Sequence, residues 1–143
     1  MARFTTTVPS TKSPEEAFQY MADLRNFSQW DRQITKVEQI NGDGPGINTV
    51  FDITVRAMGG RPMTLRYHVT EFESPTSLLL EARNTFFTSI DRIIITPTAT
   101  GCDVTYDAIL TANWIISPMN LFLSATFNKA GESATKGLRK VLA

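Results

Sequence analysis

Hydrophobic and polar residues alternate with a period of two through most of the chain between Ile34 and Leu110, and with a helical period on either side of that stretch. The first segment, 3–8, alternates weakly and is rich in Thr, which suits an edge strand. Ser13-Pro14-Glu15-Glu16 is a helix start: a capping Ser, a Pro at the first helical position and a Glu three residues after the cap. Ala17, Phe18, Met21 and Leu24 continue it at helical spacing, and Phe27 and Trp30 carry the stripe into a second short helix or turn that closes one end of the fold.

Beyond this point strands are predicted at 34–40 and 49–56, joined by the Asn41-Gly42-Asp43-Gly44-Pro45-Gly46 turn. Phe51, Ile53 and Val55 share one face of the latter strand, opposite Asp52, Thr54 and Arg56. Gly59-Gly60 marks the next turn, after which Met63, Leu65, Tyr67 and Val69 point one way and Thr64, Arg66, His68 and Thr70 the other. Further strands follow at 78–83 and at 87–96, the latter stopped by Pro97. The last holds Val104, Tyr106, Ala108 and Leu110 on one face. Residues 117–142 form the only long helical pattern, opening at Ser117-Pro118 with Met119, Leu123, Phe127, Ala130, Ala134 and Leu138 on one stripe. The bulky start suits the wall of an open space, whereas Ala130, Gly131 and Ala134 suit close approach to the sheet. The order predicts an α+β fold: about seven antiparallel strands curved around one long C-terminal helix, with two short helices after the first strand.

At 143 residues the chain fits one domain, 1–143. Lys+Arg and Asp+Glu are equal at 14 each, so the basic footprint of a nucleic-acid binder is absent. One Cys and one His, Cys102 and His68, do not make a zinc set, and a lone Cys fits a reducing cytoplasm. No metal and no cofactor are expected. No apolar run approaches a membrane span and the N-terminus has no leader pattern, so a soluble, unprocessed protein without stable membrane insertion is expected. Oligomeric state is left open.

Asp91 is the polar residue of most chemical interest. Alternation puts it on the same face as Ser89, Ile93 and Ile95, so if those isoleucines point inward the carboxyl does too, where burial would raise its pKa and suit it to general acid work or to orienting a ligand. The strand is apolar on both sides, and the opposite choice leaves Asp91 solvated near Arg92 or Arg66. Tyr67 and Tyr106 fall on inward faces and each offers a hydroxyl, either to a ligand or to core neighbours. His68 has the parity of an exposed residue, and Cys102 that of a semi-buried thiol at a strand start. The glycine-rich 41–46 loop lacks the Lys-Ser/Thr of a phosphate loop and precedes a strand, so it reads as a hairpin turn. Trp30 and Trp114 either guard a cavity mouth or, for Trp30, anchor the short helices; Phe86 and Phe87 either form an apolar entrance or cap the sheet.

The stretches SPEEAFQYMADLRNFSQW at 13–30, GPGINTVFDI at 44–53, VTEFESP at 69–75 and GCDVTY at 101–106 resemble the START-like, helix-grip (START/Bet v 1-like, SRPBCC) proteins, in particular the polyketide cyclase/dehydrase and lipid transport group. The resemblance spans the chain and rests on fold-marking motifs. It implies a cavity between sheet and long helix that binds lipids, polyketides, hormones or other apolar molecules, in a family of which only some members are enzymes. The expected lining is Phe51, Ile53, Val55, Leu65, Tyr67, Asp91, Ile93, Tyr106, Ala108 and Leu110 from the sheet and Met119, Leu123 and Phe127 from the helix. Three functions are compatible with it: binding or transport of a small apolar molecule; a cyclase or dehydratase in which Asp91 works with Tyr67 or Tyr106; and a protein-interaction module with no ligand.

Overall fold

The structure is a computed structural model that describes residues 1–56, 61–114, 118 and 120–143, and the side chains of all of these except 120–123. The expected turn at Gly59-Gly60, the helix opening at Ser117 and the stripe residue Met119 lie outside the described residues, as does the side chain of Leu123.

Seven strands form one antiparallel sheet in the order β1-β7-β6-β5-β4-β3-β2. They are β1 (Ala2–Ser10), β2 (Ile34–Asn41), β3 (Val50–Arg56), β4 (Pro62–Glu73), β5 (Ser77–Arg83), β6 (Phe87–Thr98) and β7 (Gly101–Ala112). Every neighbour after β2 is a hairpin partner, and only β1 reaches across the chain, to pair with β7. Register shifts between Ile34 and Lys36, between Gln39 and Asn41, and between Val69 and Glu71 each place extra backbone in one strand. Such bulges bend a sheet and sharpen its twist, which lets this one wrap. Pro97 does not stop β6: it stays in register opposite Cys102 and the strand runs on to Thr98.

The edge strands β1 and β2 are linked by helix α1 (Pro14–Ala22) and a 3₁₀ turn (Leu24–Gln29). The Ser13 hydroxyl accepts from Glu16 N and donates to the Glu16 carboxylate, the local chemistry expected of a capped start. Ala17, Phe18, Met21 and Ala22 are buried on the sheet-facing side of α1, with the Phe18 ring 5.1 Å from that of Phe72 in an edge-on pair.

Helix α2 (Asn120–Leu142) packs along β1. Its C-terminal end is fixed. Leu138 and Leu142 are fully buried in the main core with Phe18, Met21, Leu24 and Trp30, and Ser10 Oγ donates to the Leu142 carbonyl at 2.7 Å. The middle of the helix belongs to a smaller apolar group, in which Phe127, Phe87 and Leu110 pack on Ala2 and Ala112. Between the two groups the sheet and helix part, and a space opens. No helix among the described residues is long and apolar enough to cross a membrane.

Two glycines set how near α2 lies to its neighbours. A Cβ on Gly137 would sit 2.0 Å from the Trp30 carbonyl oxygen, and one on Gly131 would sit 2.5 Å from the Phe4 ring. Alanine gains about 1 kcal/mol of helix propensity over glycine, but at Gly137 the obstacle is backbone, whereas at Gly131 it is a side chain beside open space. Gly137→Ala is therefore expected to lower unfolding free energy by about 1–3 kcal/mol and Gly131→Ala by clearly less, as read from paired urea denaturation curves.

Candidate functional site

The space between sheet and helix has a volume of about 1040 Å³ and opens partly to solvent. Its apolar wall is built by Val55, Leu65, Ala108 and Leu110 from the sheet and by Phe127, Ala130, Ala134 and Leu138 from α2, with Phe4 from β1 and Phe86 and Phe87 at the β5–β6 turn. Strand alternation explains the first set, because residues two apart on adjacent strands fall on one face. Of the small residues that the helix pattern assigned to close approach, Gly131 lies against the Phe4 ring and Ala134 packs on the main core while also lining the space, and Ala130 lines it with a short side chain that leaves room. Phe51, Ile53 and Ile93 correct the expected lining. They share the inward face but are fully covered in the main core, where α1 and the 3₁₀ turn lie over that end of the sheet.

One end of the cavity is polar. Asp91 points inward and is 6 % exposed; pairing of Ile93 and Ile95 with the same interior settles the alternation that the sequence left open. Arg66 and Arg92 are occupied elsewhere, by Asp52 and Glu71 on the outer face. Tyr67 Oη donates to Ser89 Oγ at 2.9 Å, and Ser89 Oγ donates in turn to Asp91 Oδ1 at 3.0 Å. Tyr106 Oη donates to Asp91 Oδ2. Three strands thus converge on one carboxylate: β4 supplies Tyr67, β6 supplies Ser89 and Asp91, and β7 supplies Tyr106. In register, Asp91 stands opposite Ala108 and Tyr106 opposite Ile93, so the tyrosine reaches diagonally across the ladder.

Asp31 also lines the cavity, in the turn that leads from Trp30 into β2. Its Oδ1 accepts from Gln33 N at 2.9 Å. Sequence reading missed this residue, because a polar residue in a short connection carries no periodicity to give it a face. Trp30, next to Asp31 in the chain, lines the same space. Its ring is 5.6 Å from that of Tyr106 and 4.8 Å from that of Phe27, so it both anchors the 3₁₀ turn and forms cavity wall. Its Nε1 is covered by protein and is the one buried side-chain polar atom without a hydrogen-bond partner among the described residues.

Burial controls the electrostatics of this end. It lifts Asp91 to about 6, against the opposing pull of the Tyr106 and Ser89 hydrogen bonds, and the negative charge of Asp31 adds to the rise. Asp31 itself is raised by burial, partly offset by the Gln33 amide. Tyr67 and Tyr106 are pushed well above their ordinary range, first by burial and then by the Asp91 charge, so both remain protonated donors at neutral pH. The other residues singled out from sequence lie apart from the cluster. His68 is exposed on the outer face. Cys102 is buried, its Sγ 3.5 Å from the Lys12 carbonyl. Trp114 is 85 % exposed and is not part of the wall. The 41–46 loop is a hairpin connection tied by Gln39 Nε2 to the Gly44 carbonyl. Among the described residues no group of His, Cys, Asp and Glu is arranged to hold a metal.

The family described as polyketide cyclase/dehydrase and lipid transport matches residues 1–143. Among solved structures, a protein from Thermus thermophilus is 16% identical with a TM-score of 0.76, covering 97% of this chain and 94% of that one. A START superfamily protein from Mycobacterium smegmatis is 15% identical with a TM-score of 0.75, covering 99% and 97%. The major latex-like protein 151 of Panax ginseng, at 9% identity and a TM-score of 0.69, covers 99% and 97%. At these identities the likeness is one of fold. No protein with a curated description matches the chain.

The raised Asp91 pKa has a measurable consequence. A carboxyl that titrates near 6 in the folded chain and near ~3.9 when unfolded binds more protons folded than unfolded in that window, so stability falls as pH rises through it, by about 3 kcal/mol in all. The penalty is absent below both values and complete above pH 6. Asp91→Asn removes it. Relative to the parent, the variant is expected to gain roughly 2–3 kcal/mol of stability between pH 4 and pH 7, measured by urea denaturation across that range; parallel curves for the two proteins would contradict the assignment.

Proposed function

We propose that this chain, which belongs to the polyketide cyclase/dehydrase and lipid transport family, binds a small, mainly apolar molecule in the space between sheet and helix, with one polar group of the ligand set against Asp91, Tyr67 and Tyr106. The observation that carries the reading is a cavity of about 1040 Å³ with apolar walls and a single hydrogen-bonded polar cluster at one end. Small-molecule sites have this composition: area for affinity, and a few placed polar atoms for orientation. Burial of apolar ligand surface contributes about 25 cal/mol per Å², so a lipid-sized or polycyclic body reaches micromolar affinity without a charged anchor. The open volume counts against a module whose helix lies flush on its sheet.

A second reading, a cyclase or dehydratase, draws on one observation: the Asp91 carboxyl titrates near 6, within reach of Tyr106. A carboxyl poised there exchanges protons at physiological pH. In that reading Asp91 removes or returns a proton beside a ligand carbonyl, and the Tyr106 hydroxyl holds the carboxylate in place. The apolar walls fold the ligand.

Binding is tested by filling the space. Ala108→Phe and Ala130→Phe, made singly, place a ring in the cavity without touching the main core. Each is expected to weaken retention of apolar ligands, from a panel of sterols, quinones, fatty alcohols and aromatic polyketides, by about tenfold or more while the far-ultraviolet circular dichroism stays unchanged. Wild-type protein whose melting temperature no panel member raises would overturn the reading. For the catalytic alternative, Asp91→Asn and Tyr106→Phe are each expected to cut turnover by about 10²–10⁴-fold with ligand binding retained.

A further inference from the structure

The hydroxyl cluster around Asp91 discriminates between kinds of ligand head group, because its own donors are already spent. The Tyr67 proton goes to Ser89, the Ser89 proton to Asp91 Oδ1, and the Tyr106 proton to Asp91 Oδ2. Trp30 Nε1 is covered by protein, and the other donor-bearing residues of the wall, Gln33, Thr126 and Ser133 among them, are not members of this hydrogen-bonded cluster. What the cluster offers an incoming group is therefore lone pairs: the free positions on the Asp91 and Asp31 carboxylates and on the tyrosine oxygens.

Two further features narrow the chemistry. Both carboxylates stand on the cavity wall, and among the described residues the cationic side chains on that wall, Arg32, Arg56 and Lys129, are all solvent-exposed. Their charge is spent largely in water. Asp91, by contrast, is buried with hydroxyl partners alone, and a buried charge without a counter-charge is costly. The rings of Trp30, Tyr67 and Tyr106 line the same end, with Trp30 and Tyr106 edge-on to one another at 5.6 Å. Aromatic walls beside carboxylates favour a cation twice over, through charge and through the negative faces of the rings.

Resting on the binding function above, we propose that the ligand is an apolar molecule bearing a protonated amine, whose ammonium sits between Asp31 and Asp91 against Trp30, Tyr67 and Tyr106. A hydroxyl would supply a donor but leave the two charges uncompensated. A carboxylate or phosphate would meet two like charges and, in the cluster around Asp91, no free donor. An ammonium supplies three donors and the missing positive charge together.

Protons provide a readout that a general apolar pocket would not give. The titratable groups facing Asp91 are Tyr106 from β7, Tyr67 from β4 and Asp31 from the turn before β2, with Asp107 exerting a weaker influence from the outer face of β7 and the exposed cations Arg32, Arg56 and Lys129 beyond. Of these, Asp91 titrates near 6, so at that pH an arriving ammonium drives the proton off and an arriving carboxylate draws one on.

Three probes with one common body serve: 2-naphthylmethylamine, 2-naphthalenemethanol and 2-naphthoic acid. The host carries Trp114→Phe, so that Trp30, the other of the two tryptophans, reports binding by fluorescence. At pH 7.5 the amine is expected to bind about tenfold or more tighter than the acid and tighter than the alcohol. Calorimetry of the amine at pH 6 in buffers of different ionisation enthalpy is expected to show proton release, clearly diminished in Asp91→Asn. An acid or alcohol that equals the amine, proton uptake on amine binding, or amine affinity unchanged by both Asp91→Asn and Asp31→Asn would overturn the amine assignment and leave the cavity reading intact. Failure of all three probes and of the wider apolar panel would instead remove the binding function itself, and this inference with it.

Discussion

The structure depends on how α2 is held. It is fastened at its C-terminal end, where Leu138 and Leu142 enter the main core, Ser10 holds the Leu142 carbonyl, and Gly137 lets the Trp30 backbone come within touching distance. Interiors pack to crystal-like density wherever chains can approach. A helix fixed along its whole length would therefore close onto the sheet. Here the second apolar group, around Ala2, Ala112 and Phe127, supports the helix farther along, and the span between the two supports lies over a bent surface that it does not meet. The short side chain of Ala130 leaves room there.

The same anchorage assembles the chemistry. Trp30 closes the 3₁₀ turn, touches Gly137 through its carbonyl, packs on Tyr106 through its ring and delivers Asp31 to the cavity. Tyr106 in turn donates to Asp91. Helix placement and the electrostatic character of the cavity are thus linked through one aromatic side chain. The cluster also illustrates a common arrangement at functional positions, where burial works against stability. Asp91 is held in a covered site by Tyr106 and Ser89 directly and by Tyr67 through Ser89, and the fold tolerates the penalty because the tyrosines and serine are fixed by strand register.

Both leading functions draw on that arrangement in different protonation states. In the proposed roles, an ionised Asp91 would accept from and orient a bound group, and a protonated Asp91 would serve as an acid. A value near 6 leaves both states accessible at physiological pH. Family membership fits either, since it is described for both cyclase/dehydrase and lipid transport.

The sequence by itself determined the elements and their order. Ser13-Pro14 and Glu16 specify a helix start through local hydrogen bonding, the period of two between Ile34 and Leu110 specifies strands, and the helical stripe ending in Leu138 specifies α2; each of these signals acts over a few residues. It also placed Tyr67, Tyr106, Val55, Leu65, Ala108 and Leu110 on the inward face, all of them cavity-lining. Which inward residues face space and which face protein was decided by tertiary structure. Phe51, Ile53 and Ile93 have the same parity as the cavity wall yet are covered by α1 and the 3₁₀ turn, a matter of long-range docking that periodicity does not encode. Asp91 was undetermined because isoleucines occupy both faces of β6, and only pairing with β5 and β7 gave the strand its inner side. Asp31 had no readable signal at all, for its position follows from where Trp30 packs, and that contact exists only once residues far apart in the chain have come together.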